Sequence, residues 1–159
     1  MDRSDQDTFI ELIAKSDITS VMNSYFRALD EKNFAVQHFA TFLTENAKMT
    51  RPNGVSLTGP KEISASHEQS FARFESSQHL LTTPDIVIDD TLAFVRANLV
   101  AMHMWQGAKA NANDKDNFFV AGGVVNAKLV RVDNRWRISE LSNAVVWRAG
   151  GFKNMADTK

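Results

Sequence analysis

The 159-residue sequence contains no cysteine. That excludes a disulfide framework, a thiolate metal site and a cysteine nucleophile, and it suits a reducing compartment. An excess of charge of one sign is also missing. Lys and Arg number 18 against 19 Asp and Glu, for a net charge of −1. The basic residues are scattered, with no run or stripe, so there is no electrostatic case for nucleic acid or an anionic membrane as partner. No apolar run reaches membrane-spanning length. Met1 to Lys15 lacks the apolar centre of a signal peptide, and the expected address is cytoplasmic. There is no Gly-rich phosphate loop ahead of a helix, no His-x-x-x-His pair and no G-x-S-x-G elbow. The expectation is therefore no cofactor and no metal.

What remains is ordinary globular material: 43% hydrophobic and 23% charged residues, within the range of a single folded domain. One domain is expected over residues 1–159, with an ordered core over about 9–151. Ile18, Val21, Met22, Tyr25 and Leu29 share one helical face. Phe9, Leu12 and Ile13 extend an apolar stripe upstream, with a bend or break at Ser16-Asp17 left open, and Glu31-Lys32-Asn33 ends the segment. A short helix follows on Phe34, Phe39, Phe42 and Leu43. Ala47 to Arg51 and Val55 to Leu57 read as strands around an Asn-Gly turn. Gly59-Pro60 opens a third helix bearing Ile63, Phe71 and Phe74, which ends near Glu75-Ser76.

From Gln78 onward the pattern is β. The expected strands are Gln78 to Ile88 with a bulge or edge position at Pro84, Leu92 to Gln106, Phe118 to Val132 and Trp136 to Trp147. Asp89-Asp90 and Asp133-Asn134-Arg135 are turns, and Gly107 to Asn117 reads as a mobile polar loop. Gly150-Gly151 and the tail after them look frayed. Helices first and long hairpins afterwards predict an α+β fold: a curved antiparallel sheet with N-terminal helices on one face, enclosing one concave pocket.

Histidine is the side chain best suited to proton transfer near neutral pH. His38 and His67 lie in helical stretches among polar residues and read as surface positions. His79 shares a strand face with Leu81 and Thr83. His103 shares one with Val95, Ala97, Leu99, Ala101 and Trp105, a face almost free of charge. Either could be a core histidine satisfied by one hydrogen bond. Asp30 closes the first helix at its C-terminus, where a carboxylate opposes the helix dipole. As a partner it would fix a histidine tautomer and strengthen the other ring nitrogen as a base. Tyr25 is the only tyrosine. It lies roughly 140° from Asp30 around an ideal helix, so both reach one cavity only if the helix end flexes. Trp105, Trp136 and Trp147 with Phe118 and Phe119 read mostly as core, and Arg148 lies near the expected rim.

The ordered set is Tyr25-x-x-x-x-Asp30, Gly59-Pro60, Ser77-Gln78-His79, Asp133-Asn134-Arg135-Trp136-Arg137-Ile138 and Trp147-Arg148. It resembles the SnoaL-like group of the nuclear transport factor 2-like superfamily over roughly Phe9 to Gly151. The resemblance implies an α+β cone around one deep pocket. It also implies the Asp–His dyad shared by elimination enzymes acting on scytalone, bile acids and hexachlorocyclohexane. By position Asp30 and His79 match that dyad, with His103 and Tyr25 as helpers. Phe26, Trp105, Val125, Trp147 and Arg148 are expected against the substrate.

There are departures. The region Lys48-Met49-Thr50-Arg51 lacks the early-strand tyrosine of the scytalone enzyme, and its late-strand Ser and Asn fall on Gly123 and Val125. Both argue against scytalone itself. The implied function is a cofactor-independent lyase of dehydratase type acting on a small hydrophobic molecule. The rivals are a ketone isomerase or polyketide cyclase, and a non-catalytic binding or dimerisation module. A homodimer is expected, with a homotrimer as the alternative.

Overall fold

The computed structural model describes residues 3–107 and 115–152. Three helices precede and interrupt the first strands: α1 (Arg3–Asp30), α2 (Val36–Phe42) and α3 (Gly59–Phe71). The strands are β1 (Leu43–Thr50), β2 (Ser56–Thr58), β3 (Phe74–Leu81), β4 (Asp85–Asp89), β5 (Leu92–Trp105), β6 (Phe118–Val132) and β7 (Arg135–Gly150). They form one sheet in the order β2-β1-β7-β6-β5-β3, with β4 also on β5. No helix among the described residues is long and apolar enough to cross a membrane.

The sheet is mixed, which corrects the expectation of a wholly antiparallel one. β1 runs parallel to β7, while every other pairing is antiparallel. Hairpin reasoning fixes the direction of strands adjacent in sequence. It does not fix how the β1–β2 unit meets the far edge of the β5–β6–β7 meander.

α1 is one continuous helix with no break at Ser16-Asp17. Ile18, Met22, Tyr25, Phe26 and Leu29 are buried against the sheet's inner face. The stripe stops there. Phe9, Leu12 and Ile13 are 46–60% exposed, which corrects their expected place on the buried face. α1 ends in a Schellman motif. Asn33 N–H donates to Ala28 O at 2.9 Å and Lys32 N–H to Leu29 O at 3.2 Å, with Lys32 left-handed at φ 53°. The Lys32 ammonium then donates to Phe74 O, tying the helix end to the start of β3. The third helix stops at Phe71, short of Glu75, because β3 already begins at Phe74.

The expected strand Gln78 to Ile88 is two strands, β3 and β4, which follow one another along the same edge of β5. Pro84, with no N–H to give the ladder, lies in the break. On β5, Ala93, Val95, Ala97, Leu99, Ala101, His103 and Trp105 are all at most 8% exposed, so the charge-poor face does point inward. Seven of the loop residues, 108–114, and the tail 153–159 lie outside the described residues. Residues Lys115–Asn117 form a 3-10 turn. Gly150-Gly151 is not frayed: Gly151 N–H donates to Phe118 O at 2.8 Å, and its carbonyl accepts Trp105 Nε1–H at 3.0 Å.

Candidate active site

Helices on one side and the sheet's concave face on the other leave a cavity of about 250 Å³. That exceeds the ~150 Å³ cavity that takes benzene and sits near the small end of ligand pockets, roughly 300–1,000 Å³. It has room for one or two rings. Phe26, Leu29, Phe71, Phe74, Leu99 and Val125 give it apolar walls.

His79 and Asp30 meet at one side. His79 Nδ1 lies 2.6 Å from Asp30 Oδ1, and the His79 backbone N–H donates to Asp30 Oδ2 at 3.0 Å. Both carboxylate oxygens are therefore committed to one residue. An ionised carboxylate only accepts, so Nδ1 carries a proton, and in the neutral form of the ring Nε2 is the atom with the lone pair. The ring stacks on Phe71 at 5.9 Å and lies 5.5 Å from Phe26. Its side chain is 6% exposed and that of Asp30 24%. Asp30 does not line the cavity but stands behind His79. The helix end consequently need not flex: Tyr25 faces the cavity and Asp30 faces the histidine, each from its own side of a regular helix.

Two more histidines line the same cavity. His103 pairs across the sheet with Ser77, whose hydroxyl lies 2.7 Å from His103 Nδ1. Its ring stacks on Phe74 at 4.4 Å and lies 5.4 Å from His79. Burial, reinforced by the nearby charges of His79 and Arg73, lowers its pKa to about 3, with Asp30 opposing. His67 corrects the surface assignment: it is 8% exposed. Its Nε2 lies 2.7 Å from the Tyr25 hydroxyl, which also lies 3.0 Å from Met49 Sδ. Burial, then the charge of Arg51, then that of His79, lower His67 to about 3. Burial raises the Tyr25 phenol well above its ordinary value, partly opposed by Arg51. Tyr25 is thus a protonated hydroxyl, and His67 and His103 are neutral rings at physiological pH.

The remaining sequence-predicted contacts divide. Phe26, Val125 and Arg148 line the cavity. Trp105 does not: it packs one layer behind, 5.0 Å from Phe74 and 5.4 Å from Phe119. Trp147 does not either, and a β-bulge is the reason. Gly123 pairs with Val145 but Gly122 pairs with Trp147, so Val146 is an extra residue on β7. The bulge turns Arg148 onto the face of Leu141, Asn143 and Val145 and sends Trp147 to the outer face. There Trp147 lies so close over Gly122 that a Cβ would meet its ring at 2.1 Å.

Sequence reasoning missed His67, Arg51 and Asn143, all on the wall. Two of them carried a signal. His67 falls four residues after Ile63 and four before Phe71, inside the buried stripe of α3. Arg51 continues the alternation of Ala47 and Met49, both buried. Asn143 has a buried Oδ1 with no hydrogen-bond partner among the described residues, close to Gly123. No group of three or more His, Asp or Glu among the described residues is arranged to hold a metal ion.

None of the curated proteins matches the chain by sequence. Solved structures do match by shape. A protein provisionally designated scytalone dehydratase from Novosphingobium aromaticivorans superposes with TM-score 0.73 at 18% identity, covering 94% of this chain and 99% of that one. Hexachlorocyclohexane dehydrochlorinase type 3 from Novosphingobium barchaimii gives 0.73 at 12% identity, covering 88% and 91%. A protein of cystatin-like fold from Caulobacter vibrioides gives 0.66 at 16% identity, covering 83% and 89%. At such identities the likeness is one of fold. The profile of the SnoaL-like domain matches residues 11–142. With that span covering most of its length, the chain belongs to the SnoaL-like domain family.

Proposed function

We propose that the protein is a cofactor-independent lyase of dehydratase type, with Asp30 and His79 as its general-base dyad. The observation that carries this reading is the two-point clamp of Asp30 on His79, at 2.6 and 3.0 Å, beside an apolar cavity. A carboxylate oriented this way offsets the charge of the imidazolium that forms when the ring takes a proton. Two structural neighbours bear the names of elimination enzymes, which supports the same reaction class.

In this reading His79 Nε2 removes a proton from a carbon next to an activating group, and the electron pair moves to form the new double bond. A hydroxide or halide leaves the neighbouring carbon. The Nε2 proton passes to that leaving group, releasing water or hydrogen halide and restoring the dyad. Tyr25 and His103 stabilise the departing group by hydrogen bonds. The ligand is a small hydrophobic molecule of one or two rings, matching the cavity. Asp30→Asn or His79→Ala is expected to abolish turnover on the true substrate. Either variant turning over at the wild-type rate would sink the proposal. Product analysis separates elimination from isomerisation or cyclisation by the same base, because only elimination releases water or halide.

A further inference from the structure

We propose that the substrate is an acid, a hydrophobic molecule bearing a carboxylate, and that Arg51 is the residue that binds it. This deepens the lyase reading and rests on the same pocket being the substrate site.

The cavity is electrically one-sided. Among the described residues Arg51, Arg73 and Arg148 line it, and no Asp or Glu does. Asp30, behind His79, is spent on that residue through both oxygens. Arg51 is the most constrained of the three. It stands at the end of β1 just before Pro52. Its Nη2 donates to Ser66 O at 2.9 Å and to Ser70 Oγ at 3.0 Å, which anchors it along α3. Both acceptors are neutral. Guanidinium has five N–H donors, so Nη1 and Nε keep three N–H groups for which the described residues supply no partner. A half-buried cation held at one nitrogen by neutral acceptors, with N–H groups left on the other two and no carboxylate of its own, offers charge-assisted donors to a carboxylate.

The field of the uncompensated charge is visible in its neighbours. Burial is the main cause holding His67 neutral, and the Arg51 charge adds to it. Arg51 itself is pushed down by burial, opposed by Tyr25 and reinforced by Arg73. An anion at this point relieves both. Phe26, Leu29, Phe71, Phe74, Leu99 and Val125 supply apolar wall beside it, so the cavity favours a molecule apolar along its body and acidic at one end.

The test is binding of matched probes by calorimetry: 2-naphthoate against its neutral isostere 2-naphthamide. The wild-type protein is expected to prefer the carboxylate by about tenfold or more, in line with a charge-assisted pair, and the preference is expected to shrink as salt rises. Arg51→Gln is expected to lose it. Arg51→Lys, which keeps the charge with fewer donors, is expected to keep part of it. Arg96→Gln, changing an exposed arginine of β5 that does not line the cavity, is expected to keep it. Equal binding of acid and amide by the wild type, an undiminished preference in a folded Arg51→Gln protein, or no binding of either probe would each overturn the inference. Carrying the measurement into His79→Ala separates the two ideas. Loss of turnover with the carboxylate preference intact supports both, and a lost preference beside an intact dyad requirement sinks the acid alone.

Discussion

Three histidines share one cavity, yet they are built into two different kinds of surroundings. His79 is clamped by a carboxylate at 2.6 Å. His67 and His103 are each paired with a neutral hydroxyl, from Tyr25 and Ser77, at the same 2.7 Å. The rings are similarly buried, so burial does not distinguish them; the partner does. A ring that takes up a proton in a dry cavity needs a counter-charge within hydrogen-bond reach, and only His79 has one. Burial and neighbouring positive charge hold the other two near pKa 3. The contrast separates a candidate proton acceptor from two candidate hydrogen-bonding rings, although all three are the same residue type within one pocket.

The sharpest way to break that contrast is to remove the rings one at a time. His79→Gln is expected to lower kcat by about 10²–10⁴-fold, the usual contribution of a positioned general base. His103→Gln is expected to cost about tenfold or less, the scale of a single hydrogen bond. Steady-state rates on a true substrate decide it. Comparable losses in the two variants would mean that the carboxylate partner confers no special role.

Much of this arrangement was legible in the sequence, and the failures have physical reasons. The alternation along Leu92 to Gln106 put His103 on the inner face, because a 14-residue strand with period two leaves little choice. The pairing of Asp30 with His79 was not in the spacing: the residues are 49 apart, and only a resemblance brought them together. His67 was misread because its neighbours in sequence are polar, whereas its neighbours at i−4 and i+4, Ile63 and Phe71, are core. Trp147 and Arg148 could not be sorted between faces, because one extra residue at Val146 reverses the parity of everything after it, and the Gly122-Gly123 pair opposite marks a bend without saying which strand carries the extra residue. The parallel β1–β7 pairing is non-local, beyond the reach of hairpin logic.

A second test concerns acid stability. His67 and His103 have native pKa values of about 3 against an ordinary value of about 6.5. Their unfolded forms therefore bind protons more readily than their folded forms. The stability they confer is fully present above about pH 6.5 and is lost as pH falls towards 3. By pH 5 each site costs the fold up to about 2 kcal/mol. Thermal midpoints of the wild type should fall through this window, beyond the decline due to carboxylates. The His67→Gln, His103→Gln double variant should show a clearly shallower fall. Parallel curves for the two proteins would show that these rings are not held neutral by the fold.

The smallest expected effect sharpens the comparison from the other side. Tyr25 is fully protonated and points its hydroxyl at a neutral His67. If that hydroxyl assists the departing group, Tyr25→Phe should lower kcat by up to about tenfold, one neutral hydrogen bond's worth, with little change in KM. If it serves only to satisfy His67, the same variant should leave kcat alone and lower the thermal midpoint, since it strands a buried ring nitrogen. Measuring both quantities on one protein separates the roles. The answer bears directly on the two classes of histidine: a kcat effect makes the neutral Tyr25–His67 pair part of the chemistry, opposite the charged Asp30–His79 pair. A purely thermal effect leaves the dyad as the cavity's single reactive centre.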